Sequence, residues 1–320
     1  MSARHSHHIL HPQLAFRELV RDYGVDVAYT PMTLADVFHR SEYARDSDFT
    51  TNAADTPVVL QFAARVPVDM ERASQLVAAH VAAVDLNCGC PQRWAYQEGI
   101  GARLMEEPET VRDVVRQVKA HVDVPCSVKI RVHKDLRETM EYARQMEMAG
   151  ADWITVHGRT RHQRSSEPVN VDAIRMVKEQ AGIPVVANGD IFTLDDADRM
   201  YAATNVDGIM SARGLLQNPA LFAGHEHTPW ECVQKYVQHA LNYGTTTFIF
   251  HHHLMFMLES VMSAAERRSF NTLASIPAIL DFLQEHYGLA FCQDNENQTD
   301  DAQDATADHH QRTPVDASSA

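Results

Sequence analysis

Between residues 25 and 211 the chain alternates short runs of Val, Ile and Leu with longer stretches whose apolar residues recur every three or four positions. The short runs are Val25–Thr30, Val58–Ala63, Ala83–Asn87, Ser127–Val132, Trp153–His157, Pro184–Asn188 and Gly208–Ser211. Each is nearly all apolar, which predicts strands covered on both faces. The stretches between them predict amphipathic helices. Val111, Val114, Val115, Val118 and Val122 share one face of Thr110–Val122, with Arg and Lys opposite. Leu136–Met148 ends at Gly150 and Val171–Gln180 at Gly182, both suited to left-handed caps. Thr193, ahead of Asp195 and Asp196, reads as an N-cap with acids in the first turn.

Seven strands in one βα alternation predict an α/β fold, a (β/α)8 TIM barrel. No G-x-G-x-x-G follows the first strand, which argues against a doubly wound dinucleotide-binding sheet. An eighth strand belongs ahead of the helix expected at Pro12–Tyr23, where only eleven histidine-rich residues stand. The first strand is therefore expected to be missing or degenerate. After Gly224 the pattern turns all-helical, with Trp230–Tyr243, Phe248–Ala265 and Thr272–Tyr287, and beyond Cys292 the apolar periodicity stops. The expected organisation is a barrel over residues 1–224, a small helical domain over 225–290 and an acidic disordered tail over 291–320.

Composition narrows the class. The 320 residues are 45% hydrophobic and 22% charged, as in a globular protein. No apolar run reaches the roughly 20 residues of a membrane helix, and the start MSARHSHHILH lacks the apolar stretch of a secretion signal, so a cytosolic enzyme is expected. The net charge of −15 excludes a broad basic face for phosphate backbones, but seven acids and one arginine between Gln293 and Ala320 account for −6 of it. The body keeps −9, which leaves room for a local basic rim. Five cysteines suggest no disulfide framework, and only Cys88 and Cys90 lie close together, without a second ligand pair for zinc. The run His251-His252-His253 cannot converge on one ion from consecutive helical positions. No metal is expected.

Chemistry gathers where the strands end, the face on which barrels build active sites. The polar sets there are Pro31-Met32, Gln61, Asn87-Cys88-Gly89-Cys90-Pro91, Lys129 with Arg131, His157-Gly158-Arg159-Thr160, Asn188-Gly189-Asp190 and Ala212-Arg213-Gly214. The last two follow the strands that often hold a phosphate, and glycine lets backbone N–H groups approach an anion. Lys129 suits the negative charge of a reduced flavin ring, or else an internal ion pair with Asp85. Cys90 sits in a Gly-Cys-Pro turn and, with an ordinary pKa of about 8.5, can act as a proton donor. Cys88 competes for that role but suits inward packing at the strand end. His157 suits a flavin or phosphate hydrogen bond, or else caps a neighbouring loop.

The segments YTPM, VVLQFAA, DLNCGCPQRWA, SVKIR, ITVHGRT, PVVANGD and ARGLLQNPALFAG together resemble the tRNA-dihydrouridine synthases, over about Leu14 to Gly288. NCGCPQRWA, with RDSDFTTN and HHLMFM, is most similar to the eukaryotic branch acting at D-loop positions 20a and 20b. The resemblance implies an FMN enzyme that uses NADPH or NADH to reduce the C5=C6 bond of a tRNA uridine, in the cytoplasm and also the nucleus. It implies Cys90 as general acid, Gln61, Lys129, His157, Asn188, Gly189, Asp190, Arg213 and Gly214 around FMN, and Asn87 on the uracil. Charge and placement add Arg159 and Arg161 as contacts to RNA phosphates, with Arg267 and Arg268 on the helical domain either gripping tRNA or forming a solvated face. The family pattern also implies a first strand ending in Ala-Pro-Met, where this chain has SARHSHHIL; Pro31-Met32 belongs to the second strand. Either an upstream coding segment is lacking, or the chain is a variant with an open barrel and weaker FMN binding. The alternatives are a barrel oxidoreductase on a free pyrimidine, like dihydroorotate dehydrogenase, and a truncated tRNA-binding protein without catalysis.

Overall fold

Each apolar run pairs with the next one in the sequence, and in parallel, because the connections between them carry helices that cross back over the sheet. A computed structural model of the protein describes residues 14–290. Its strands are β1 (Ala28–Tyr29), β2 (Thr33–Leu34), β3 (Val58–Ala63), β4 (Ala83–Asn87), β5 (Cys126–Arg131), β6 (Ile154–His157), β7 (Val185–Asn188) and β8 (Gly208–Met210). The order is β1-β3-β4-β5-β6-β7-β8, with β2 also on β3. The register pairs Ala28 with Val58 and Thr33 with Phe62, so β1 and β2 lie end to end along β3. They form one barrel position, interrupted around Pro31, which has no N–H for the ladder. Pro184 likewise stays outside β7.

The outer edges of β1 and β8 have no strand partner among the described residues, and they flank the position at which the sequence pattern expects the first strand. A cavity of about 900 Å³ lies between them. It runs from Pro57, Ala82 and Pro184 at the strand starts to Lys129 and Ser211 at their ends. The expected N-terminal strand region and the acidic tail lie outside the described residues.

Alternation along the strands divides the sheet into two chemistries. Leu60, Phe62, Val84, Leu86, Val128, Ile130, Ile154, Val156, Val185 and Ala187 pack under the helices in one buried core with Val111, Val114, Val115 and Val118. The intervening positions face the barrel interior; Val59, Ala83 and Val186 near the strand starts are apolar, and Gln61, Asp85, Asn87, Ser127, Lys129, Thr155, His157 and Asn188 are polar. This inward polar face positions the site.

Helix ends follow their capping residues. Thr193 and Asp196 form a reciprocal capping box, and Gly150 closes its helix at φ 99°. Gly182 is different from the expected left-handed cap: the helix ends at extended Ala181, and Gly182 instead donates its N–H to the Glu147 carboxylate at 3.1 Å. A Cβ there would lie 2.5 Å from that carboxylate, the mobile end of a side chain that can swing aside, so neither a positive φ nor tight packing requires the glycine. The helix expected at Phe248–Ala265 is two helices, Thr247–Met257 and Ala264–Phe270, because Ser263 and Glu266 form a capping box that starts the second.

A second apolar core joins the helices Trp230–Asn242, Thr247–Met257, Ala264–Phe270 and Ile276–Tyr287 to the helix Leu14–Arg21 through Phe16, Leu19, Tyr236, Leu254, Phe270 and Phe282. Leu14–Arg21, counted with the barrel by sequence, thus packs into the helical core. Arg17 ties it to the barrel by two hydrogen bonds, 2.9 and 2.7 Å, to the fully buried Asp55. Within the helical region His253 is buried and stacked on Phe16, His251 meets the Phe270 carbonyl, and His252 packs on Phe248 and Phe256. The three rings go to three different sets of neighbours.

Candidate active site at the strand ends

The register of β4, β5, β6 and β7 sets the polar residues side by side: Asn87 with Lys129, Arg131 with His157, and His157 with Asn188. Lys129 Nζ donates to Asn188 Oδ1 at 3.0 Å, and Asn188 Nδ2 donates to the Met210 carbonyl at 2.9 Å. The ion pair with Asp85 that the position of Lys129 left open is not a close contact, although the two charges still favour one another across the inward face. Burial pushes its ammonium down to about 8, which leaves it charged at neutral pH.

Beyond β7 and β8 lies a pocket of about 50 Å³ lined by His157, Arg159, Asn188, Gly189, Asp190, Ile191, Phe192, Met210, Ala212, Arg213 and Gly214. Gly189 adopts φ 129°, and Asp190 adopts φ 54°, in the left-handed region where a non-glycine residue is strained. Its carboxylate pairs with Arg159 and, at 3.5 Å, with Arg213. Asp190 thus organises the cations around the pocket, and its own negative charge does not suit direct contact with an anion. A Cβ on Gly214 would lie 2.0 Å from the Ile191 carbonyl oxygen, so the two loops meet backbone to backbone there.

His157 reports the local field. Burial, and then Lys129, Arg131, Arg159 and Arg213, push it down to about 2. Four cations around one neutral imidazole form a site that an anion would stabilise. The unfolded chain binds a proton on His157 near pH 6.5 that the folded chain refuses, so folding loses stability as pH falls from about 6.5. By pH 5 the loss should reach roughly 1–2 kcal/mol. His157→Gln should flatten this part of the stability curve in urea titrations at pH 7 and pH 5. An identical pH dependence in the variant would refute the assignment.

The β4 end carries the cysteines. Cys88 is fully buried, and burial raises its thiol far above the usual range. Cys90 is half-buried at the mouth, its pKa also raised by burial, so it is a protonated thiol at neutral pH. Its backbone is pinned from both sides. The Cys90 N–H donates to Asn87 Oδ1 at 2.9 Å, and its carbonyl accepts from the Ala102 N–H at 2.8 Å. Asn87 in turn donates to Gln61 Oε1 at 2.7 Å. Arg131, noted only as Lys129's companion, donates to the Gly89 carbonyl at 2.6 Å and to the Thr160 carbonyl at 3.1 Å, bridging two rim loops. Its two-residue offset from Lys129 was the available signal.

The two arginines expected to meet RNA phosphates differ. Arg159 does not face solvent: its side chain is 2% exposed, held by Asp190 and by the Glu167 carbonyl at 2.6 Å, so the phosphate contact is corrected to an internal positioning role. Its paired carboxylate explains how a guanidinium is accommodated there. Arg161 does lie on the rim, paired with Glu106 at 2.5 Å and with its guanidinium 4.8 Å from the Tyr96 ring centre. On Ala264–Phe270, Arg268 is exposed, whereas Arg267 is half-buried and donates to the Glu259 carbonyl at 3.3 Å. Among the described residues no group of three or more His, Cys, Asp or Glu could hold a metal ion, and no helix is long and apolar enough to cross a membrane.

A family model described as dihydrouridine synthase matches residues 11–310. The chain is 50% identical over 283 residues to a mouse (Mus musculus) protein named tRNA-dihydrouridine(20a/20b) synthase (NAD(P)+)-like, covering 88% of this chain and 87% of that one. It is 48% identical to a human (Homo sapiens) protein of the same name, covering 88% and 89%. It is also 47% identical to the tRNA-dihydrouridine(20a/20b) synthase (NAD(P)+) of Schizosaccharomyces pombe, covering 87% and 86%.

Proposed function

The chain belongs to the dihydrouridine synthase family, and from that premise we propose that it reduces the C5=C6 bond of a D-loop uridine in tRNA, at positions 20a/20b, with NADPH or NADH as reductant. The observation that carries this reading is the pairing of two features on one barrel mouth. A cationic, glycine-lined pocket lies at the ends of β7 and β8, and a half-buried, protonated thiol lies at the end of β4.

FMN fits the first feature. The pocket has the glycines, the cations and the position suited to a phosphate, and Lys129 supplies a cation on the inward face. Arg213, Gly214, Gly189 and Asn188 would hold the phosphate end, and Gln61, Lys129 and His157 the ring. Asp190 serves indirectly by aligning Arg159 and Arg213. When bound, FMN supplies the hydride equivalent for uracil C6.

The remaining chemistry belongs to the chain. Asn87 orients the uracil, and Cys90 delivers its thiol proton to C5 as general acid. A D-loop uridine is folded into the tRNA, so the base must be turned out into the mouth. Arg161 on the rim, and Arg267 and Arg268 on the helical domain of residues 225–290, meet RNA phosphates. A tRNA substrate suits an enzyme of the cytoplasm and nucleus.

A second reading is tRNA binding without turnover, since β1 and β8 are unpaired on their outer edges among the described residues. One experiment separates the readings. The full chain is purified, its flavin content read by absorbance, and NADPH oxidation followed with tRNA, orotate or uracil. The proposal expects bound flavin and tRNA-dependent oxidation. Turnover on the free pyrimidines alone, or a chain that binds tRNA but neither flavin nor NADPH, overturns it.

A further inference from the structure

Gln61, Asp85 and Ser127 lie in one register row across β3, β4 and β5, facing the barrel interior. Asp85 is wholly buried, and both its oxygens are engaged: Ser127 Oγ donates to Oδ1 at 2.5 Å and Gln61 Nε2 donates to Oδ2 at 2.7 Å. An ionised carboxylate only accepts, so the Gln61 amide must turn its NH2 to Asp85 and its carbonyl away. That carbonyl accepts from Asn87 Nδ2 at 2.7 Å. With its NH2 engaged, Asn87 has its carbonyl left for the loop, where it accepts from the N–H groups of Gly89 at 3.0 Å and Cys90 at 2.9 Å.

Either amide alone fits in two orientations related by a half-turn. The charged end of the row removes that freedom from both. The carbonyl side of the loop is already held by Arg131 and Ala102, so the acceptor on its N–H side decides whether the turn is fixed. Burial raises the Asp85 pKa, while Ser127, Gln61 and the Lys129 cation, its diagonal neighbour on the inward face, favour the carboxylate.

We propose that Asp85 is a positioning residue for Cys90: through Gln61 and Asn87 it sets the direction of a four-link hydrogen-bond relay that holds the thiol loop in place. The proposal deepens the assignment of Cys90 as the acid and rests on it for its catalytic meaning, but the relay can be tested without turnover.

Asp85→Asn keeps the shape but offers one donor and one acceptor, and the Ser127 hydroxyl can serve either. The relay can then invert, turning the Asn87 NH2 toward two N–H donors. The test is the rate of iodoacetamide alkylation at Cys90 in the full chain, read by peptide mass spectrometry, beside kcat and KM for tRNA. D85N should alkylate about tenfold faster and lose about tenfold in kcat per bound flavin, the effect of losing one net hydrogen bond. Ser127→Ala removes a partner of Asp85 without changing either amide's direction, and its Cys90 alkylation should match the wild type.

The double variant D85N/Q61E moves the acceptor-only group one strand over. The carboxylate introduced on β3 accepts from the new amide on β4 and from Asn87 alike. The Asn87 carbonyl then faces the loop again, and slow alkylation should return. If D85N is not recovered folded, the double variant and S127A carry the test. Wild-type alkylation in D85N, alkylation in S127A as fast as in D85N, or fast alkylation in the double variant overturns the proposal. A wild-type chain inactive on tRNA would instead overturn the function, leaving the alkylation series to decide the relay.

Discussion

Replacing Cys90 with alanine is expected to lower the rate of uridine reduction by about 10²- to 10⁴-fold, the range that a positioned general acid contributes. The physical reason is the state in which the fold holds this thiol. Burial raises its pKa, so near neutrality the proton needed at C5 is present. Three loop contacts, from Asn87, Arg131 and Ala102, fix where it is delivered. Flavin reduction by NADPH involves no proton from Cys90, so it should proceed at the wild-type rate in C90A. The same assignment sets the sign of the pH dependence. A general acid is lost as pH rises through its pKa, and this pKa is raised, so uridine reduction should hold through neutral pH and fall in the alkaline range. Full uridine reduction by C90A, measured as dihydrouridine per tRNA in single-turnover mixing, would remove Cys90 from the chemistry.

Gly214→Ala should produce the next largest effect, on flavin retention. Its added Cβ would sit 2.0 Å from the Ile191 carbonyl oxygen and 2.7 Å from Ser211 Oγ. The hydroxyl can rotate, but the carbonyl belongs to the loop that carries Asp190, and moving it disturbs the pairs with Arg159 and Arg213. Overpacking of this kind costs about 1–3 kcal/mol of stability. An anion site that loses backbone approach and cation alignment together should lose FMN affinity by more than tenfold. Equilibrium dialysis with FMN, paired with a urea titration, separates the two effects. Unchanged FMN affinity in a folded variant would show that the phosphate end lies elsewhere.

The strand positions were legible because the core-facing positions of these strands are apolar without exception, and turns with Gly, Pro or Asp bounded each run. The site was legible for a related reason: polar residues that end such runs face the barrel mouth, as Lys129, His157 and Asn188 do. What one-dimensional pattern could not show was the pairing of side chains across strands. Arg159 follows a strand end just as Arg161 follows a rim turn, yet one is buried on Asp190 and the other lies on Tyr96. Charge alone does not distinguish them. Asp85 stands in an apolar run as a plain exception, and its role emerges only when the register sets it between Gln61 and Ser127. Gly182 misled because a glycine after a helix need not be its cap: the chain is already extended at Ala181. Ser263 and Glu266, spaced for a capping box, were the overlooked signal that the long helical pattern is broken.

The most direct test of the central claim is to incubate the purified full chain, supplied with FMN and NADPH, with unmodified tRNA and map by mass spectrometry every uridine that has gained two hydrogens. The account predicts dihydrouridine in the D loop at 20a/20b, dependent on Cys90. A chain that binds FMN, oxidises NADPH and leaves every uridine of the tRNA unchanged would contradict it.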